Sequence, residues 1–182
     1  MKEEATYKKN KEVSEIRIIL SRYEDIFSEF DPRSLSERGM AGNFLFEAER
    51  AVISKSIGRI DFIMHVPKEN IEIKKERIII ERLSDYFKRH YNIMKKEKKN
   101  IIKKGIIFSA GGVILMLIAT ILFFKFQDES LLIRFLTILF EPGGWFLFWQ
   151  GLDLIIFKSN EKTTKLEFYK RMSESNIKFD SS

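Results

Sequence analysis

Two long apolar stretches behind a lysine cluster, and two strand-like runs among helical patterns in the 94 residues before that cluster, predict an α+β fold. The expected architecture is a small β-α-α-β-α domain whose last long helix continues into a two-helix transmembrane hairpin. On this reading residues 1–94 form a cytoplasmic domain and residues 95–104 a basic juxtamembrane helix. Residues 105–157 form the hairpin and residues 158–182 a cytoplasmic tail.

The elements of the first domain follow from local patterning. Residues 16–20 (Ile-Arg-Ile-Ile-Leu) read as a strand, and residues 59–66 alternate apolar and polar positions until Pro67 ends them. Residues 23–30 and 43–55 read as helices; in the second, Phe44, Ala48, Ala51 and Val52 share one face. A further helix begins near Ile71, with Ile73, Ile80, Phe87 and Met94 seven apart, and no proline or glycine interrupts it before Gly105. Two strands make a poor sheet alone, so a third is expected from the N-terminal segment or from another chain. An amphipathic helix is expected over residues 160–172, and residues 1–10 and 173–182 are expected to fray.

The lysine cluster decides what the net charge of +6 means. Lys95, Lys96, Lys98, Lys99, Lys103 and Lys104 stand against Glu97 alone, so residues 95–104 carry +5 of it, while residues 1–94 carry +1. A nucleic-acid binder spreads its bases over a folded face, whereas this excess sits where a helix meets anionic headgroups. The bilayer, not nucleic acid, is the expected partner. Residues 1–15 contain no apolar core of a secretory signal, so the chain is expected to start in the cytoplasm.

Residues 105–126 are 22 nearly uninterrupted apolar positions, about 33 Å as a helix, which matches a hydrocarbon core of roughly 30 Å. After a polar turn at residues 127–130, a second apolar stretch covers residues 131–157. Lysines flank both outer ends and acids the turn, so both termini of a multi-pass protein of the cytoplasmic membrane are expected inside. Pro142, Gly143 and Gly144 mark an expected kink, with the crossing completed by residues 143–157. Gly105, Ser109 and Gly112 on the first span, and Gly144 and Gly151 on the second, have the spacing that lets helix backbones approach closely, within one hairpin or between copies in a homo-oligomer.

Glu141, Gln150 and Asp153 are polar residues within the second stretch. They either line a water-filled path in an oligomer, or Glu141 caps a helix starting after Pro142 near the outer interface and Asp153 snorkels toward the juxtamembrane lysines. The residues favour the second reading. In the first domain, residues 30–38 (Phe-Asp-Pro-Arg-Ser-Leu-Ser-Glu-Arg) form a polar stretch in which Asp31, Arg33 and Arg38 either hold an anionic ligand or partner, or build a turn. Turn chemistry is the favoured reading.

Catalytic signatures are absent from the chain. His65 and His90 stand alone, there is no cysteine, Gly39-Met40-Ala41-Gly42 lacks the Lys and Ser/Thr of a phosphate loop, and no Gly-x-Ser-x-Gly occurs. No metal, no cofactor and no enzymatic activity are expected.

Residues 30–38 and residues 141–153 (Glu-Pro-Gly-Gly-Trp-Phe-Leu-Phe-Trp-Gln-Gly-Leu-Asp) together resemble an uncharacterised prokaryotic family of small membrane proteins. In that family an N-terminal domain carries an Asp-Pro-Ser-Pro-Phe-like turn, and a long basic helix leads into a hairpin whose second span holds a Gly-Trp pair. The chain departs from it at Arg33-Ser34 and at residues 150–153. The resemblance implies an architecture and no activity. The leading expectation is a non-enzymatic membrane protein that presents a small cytoplasmic domain to an unknown protein or ligand and signals through the helix entering the membrane. An oligomeric pore gated by that domain is the alternative, and an enzyme acting through residues 31–38 is the weakest of the three.

Overall fold

A computed structural model describes residues 13–55, 58–125 and 130–181. The expected fraying of residues 1–10 and the turn at residues 127–129 lie outside them. The chain divides into two compact units: one combines the chain up to Ile93 with Thr164 onward, and the other is Met94–Thr163.

The first unit is built on a three-stranded parallel sheet in the order β1 (Val13–Ile19), β2 (Arg59–Val66), β3 (Asn176–Ser181). Ile16 pairs with Phe62 and Phe62 with Ile177; one step on, Ile18 pairs with Met64 and Met64 with Phe179. Alternation of side chains sends Ile60, Phe62, Met64 and Val66 to one face, all buried. Three helical faces cover them: Phe44, Ala48 and Val52 from α1 (Gly42–Ile53), Ile79, Leu83 and Phe87 from the start of α2 (Ile73–Lys125), and Phe168 and Met172 from α4 (Thr163–Ser173). Each set recurs every fourth residue, the spacing of one helical stripe. The opposite sheet face is polar at Glu15, Arg17, Asp61 and Lys178, with ion pairs Arg17–Glu15 at 2.9 Å and Lys178–Asp61 at 3.4 Å.

The C-terminal segment departs most from the sequence reading. The third strand comes from neither the N-terminal segment nor another chain, and residues 173–181 are not a frayed tail. The Ile177 and Phe179 side chains alternate onto the core face, and α4 adds Phe168 and Met172, so residues 164–181 belong to the same folded unit as the first domain. Arg171 donates from Nη1 to the carbonyls of Val52 (2.7 Å) and Lys55 (3.2 Å), which ties α4 to the C-terminal end of α1. Phe87 meets Phe168 edge to face at 5.9 Å, and the His90 ring lies between those of Tyr86 (3.9 Å) and Tyr169 (5.3 Å).

The helix expected over residues 23–30 shrinks to one 3₁₀ turn, Tyr23–Ile26. The Asp25 carboxylate accepts the Ser21 and Arg22 amides (3.0 and 2.9 Å), which closes the turn, and Phe27 then turns extended to bridge Met40. Tyr23 ties this turn to the start of α2, donating to Glu76 at 2.7 Å and accepting the Glu72 amide at 3.1 Å. Along α2 the buried stripe is Ile79, Leu83 and Phe87; Ile73, the first of the expected heptad, is 71 % exposed.

In the second unit, the remainder of α2 packs antiparallel to α3 (Leu131–Asp153). Both are long and apolar enough to cross a membrane. The helix does not break at Pro142, which lies inside α3. It departs from α geometry later, in a π turn at Leu154–Lys158.

The chain end is part of the core of the first unit. Truncation after Ser175 is expected to abolish cooperative unfolding of the first unit in denaturant, and Ile177→Ala to cost about 2–3 kcal/mol. An unchanged denaturation midpoint for the truncated chain would contradict the assignment of β3.

Candidate functional sites

In the first unit, residues 28–39 leave and rejoin the fold at one point, where Ser28 donates to the Gly39 carbonyl (2.8 Å) and Ala41 to that of Ile26 (2.9 Å). The loop is organised around Asp31. Its carboxylate accepts from Arg33 Nε (2.9 Å) and Nη2 (2.7 Å) and from the Gly39 amide (2.7 Å), while its carbonyl accepts from Arg38 Nε (2.6 Å). Arg33, and then the Gly39 amide, hold the Asp31 carboxyl well below the usual carboxylate range. The three residues singled out in the sequence are thus brought together, but Asp31 is already occupied by its own loop.

What the loop presents outward is a groove of about 580 Å³ shared with α2. Arg33, Ser36 and Glu37 form one wall and Ile78, Glu81, Arg82, Asp85 and Arg89 the other. Arg82 pins the two walls, donating to the carbonyls of Glu37 (3.1 Å) and Arg38 (3.3 Å). The α2 residues were not singled out by sequence reasoning, because on a helix that also carries a core stripe their alternating charges read as a solvated face. Phe30, at the loop's tip, is 96 % exposed.

In the second unit, the glycines of the two helices meet in register. A Cβ on Gly105 would lie 2.8 Å from the Gly151 carbonyl oxygen, and one on Gly112 would lie 2.5 Å from that of Gly144. The reciprocal substitutions are as crowded: a Cβ on Gly144 would lie 2.8 Å from the Gly112 carbonyl, and one on Gly151 would run into Ser109 Oγ. Seven-residue spacing on both helices makes both contacts possible in one antiparallel pair. Ser109 also donates to the Phe148 carbonyl at 3.3 Å. Near the paired ends, Lys98 donates to Thr163 Oγ1 (2.8 Å) and Lys162 lies 3.2 Å from Glu97. Lys95, Lys96, Lys99, Lys103 and Lys104 are exposed on α2.

Carried along both helices, this register separates the polar residues of α3. Asp153 is level with Lys104, Gln150 lies about one turn further along, and Glu141 is level with Met116. Glu141 caps nothing, since α3 starts ten residues earlier, where Ser130 Oγ accepts the Ile133 amide at 3.3 Å. Glu141 lines a cavity of about 400 Å³ with Met116, Ala119, Thr120, Phe123, Phe124, Thr137 and Trp145. Among the described residues no group of three or more His, Cys, Asp or Glu is arranged to hold a metal ion.

Gly112→Leu and Gly151→Leu should each weaken the hairpin by on the order of 1–3 kcal/mol in detergent, whereas Gly111→Ala and Gly143→Ala, where a Cβ meets open space, should leave its melting unchanged. Equal effects at all four positions would refute the assigned register. For Asp31, the folded pKa is depressed, so its contribution is present above the ordinary carboxylate range and is lost only as pH falls well below it. The Gly39 amide should therefore stay protected from hydrogen exchange at about pH 4 and exchange rapidly at neutral pH in Asp31→Asn. Slow exchange of Gly39 in that variant would count against the loop's organisation.

No protein-family model, no characterised protein and no solved structure matches the chain.

Proposed function

We propose that this is a non-enzymatic integral protein of the cytoplasmic membrane, which presents its α+β unit to the cytoplasm and acts there by binding a protein or small ligand. The observation that carries the reading is the pair of apolar helices inserted between β2 and β3. In the most apolar 18-residue window of each, only 11 % and 6 % of the residues are buried by the protein itself, so their apolar surface needs another cover. A bilayer supplies it, and small residues at the helix contact are the way helices pair where lipid removes the hydrophobic driving force.

Connectivity supports the expected topology. The chain leaves the first unit at Ile93 and returns to it at Thr164, and β3 hydrogen-bonds directly to β2. A sheet cannot straddle a bilayer, so the number of crossings between must be even, and two helices satisfy that. Lysines at both ends of the hairpin, Lys95 to Lys104 on one side and Lys158, Lys162 and Lys165 on the other, favour the cytoplasmic side for both. We assign partner binding to the groove between residues 33–37 and α2. Its three arginines and three acids would match an extended polypeptide or a zwitterionic ligand better than a simple anion.

The absence of native cysteine permits a direct test. Single cysteines at the exposed positions Glu174 and Lys178 should resist a membrane-impermeant maleimide in intact cells and react fully after permeabilisation. The protein should also stay with the membrane through alkaline carbonate. Labelling of Lys178→Cys in intact cells would reverse the orientation, and release by carbonate would remove the membrane reading.

A further inference from the structure

Glu141 is an acid within the apolar stretch of α3. It sits inside α3 at the level of Met116, about 18 Å along α2 from Lys104 and about 13 Å from Lys125. In a hydrocarbon core of roughly 30 Å that is close to the middle. Its side chain is exposed on the outside of the helix pair and has no hydrogen-bond or ion-pair partner among the described residues. The two hydroxyls beside it are committed to their own helices, Thr120 to the Met116 carbonyl (2.9 Å) and Thr137 to that of Ile133 (3.0 Å).

The rest of the cavity is aromatic. Phe123, Phe124 and Trp145 are 48, 80 and 49 % exposed, so their rings are available on its walls. A carboxylate at this depth is stable only with a proton or a cation beside it, and aromatic faces attract the same charge. Lipid tails supply neither. A second copy inserted in the same orientation would bring another carboxylate to this level, because the nearest bases of the hairpin, Arg134 and Lys125, lie about two turns further out. A cavity of about 400 Å³ falls within the size range of small-molecule sites.

We propose that Glu141, with Trp145, Phe123 and Phe124, forms an intramembrane site for a lipophilic organic cation that enters from the bilayer. Charge is supplied by Glu141 and shape by the three rings, while the hydroxyls of Thr120 and Thr137 are taken up by backbone carbonyls. The proposal rests on the membrane reading, and its test keeps the two apart.

The experiment uses the full chain in nanodiscs, with tetraphenylphosphonium as the probe and calorimetry as the readout, against empty nanodiscs. Saturable binding of one cation per chain is expected, with no saturable binding of neutral triphenylphosphine oxide. Glu141→Gln should weaken it about tenfold or more, Glu141→Asp should retain most of it, and Trp145→Ala should weaken it about three- to thirtyfold. Phe124→Ala serves as a further variant should Glu141→Gln fail to incorporate. Incorporated protein that binds no more than empty nanodiscs, or binds equally well as Glu141→Gln, overturns the site while leaving the membrane reading intact. So would self-association that Glu141→Gln abolishes without any binding of the cation. Failure of the wild-type chain to incorporate overturns both.

Discussion

The parallel pairing of β3 onto β2 is the constraint from which the rest of the architecture follows. It joins residues 176–181 to a strand more than 110 positions earlier and turns a marginal two-stranded pair into a sheet with a defined centre. It also brings α4, which adds Phe168 and Met172 to a core that α1 and α2 would otherwise leave open at one side. Because a parallel partner cannot be reached by a tight turn, some crossover must intervene. Here the crossover contains the whole of the second unit, with the start of α2 before it and α4 after it. Its two helices are thus not an appendage after a finished domain but an insertion within one, and the domain closes only when the chain has come back.

Within the insertion, the glycine pairs do for the helices what the apolar stripes do for the sheet. Gly105 against Gly151 and Gly112 against Gly144 bring backbone to backbone, and no side chain larger than hydrogen fits at any of the four. Pro142 is tolerated inside α3 because the lost amide bond lies one and two residues before Gly143 and Gly144, on a helix already held against its neighbour. The irregularity appears instead at Leu154–Lys158, where Leu154 and Ile155 crowd the face of Gly105. In this π turn Ser159 donates to the Ile155 carbonyl at 2.6 Å.

Much of this was readable from residue pattern, and what was missed has physical causes. The β2 bounds and the long α2 follow from alternation and from the absence of any breaker, both local signals. The glycine spacing was visible too, although not whether it served one hairpin or several copies. β3 was missed because Ile177 and Phe179 are only two apolar positions in a short polar end, and their role depends on a partner that sequence distance hides. The turn at Tyr23–Ile26 carried a helical pattern, but the Asp25 side chain competes for the Ser21 and Arg22 amides. At the loop, the residues Asp31, Arg33 and Arg38 were identifiable as a group. That Arg82 closes it from another element was not, since nothing local distinguishes one exposed helical arginine from the next.

The same logic explains why two acids of one helix have opposite surroundings. Glu141 and Asp153 are twelve residues apart on α3, and composition alone treats them alike. The glycine register sets Asp153 level with the Lys103–Lys104 end of the lysine cluster, near one end of the apolar stretch. The register sets Glu141 against Met116, Ala119 and Thr120, with no base at that level. Shifting the helices by one heptad to equalise them would place Gly112 opposite Gly151 and strand Gly105 and Gly144 against larger side chains. The backbone contacts therefore fix the depth of Glu141, where a carboxyl group needs either a proton or a cation from outside the hairpin.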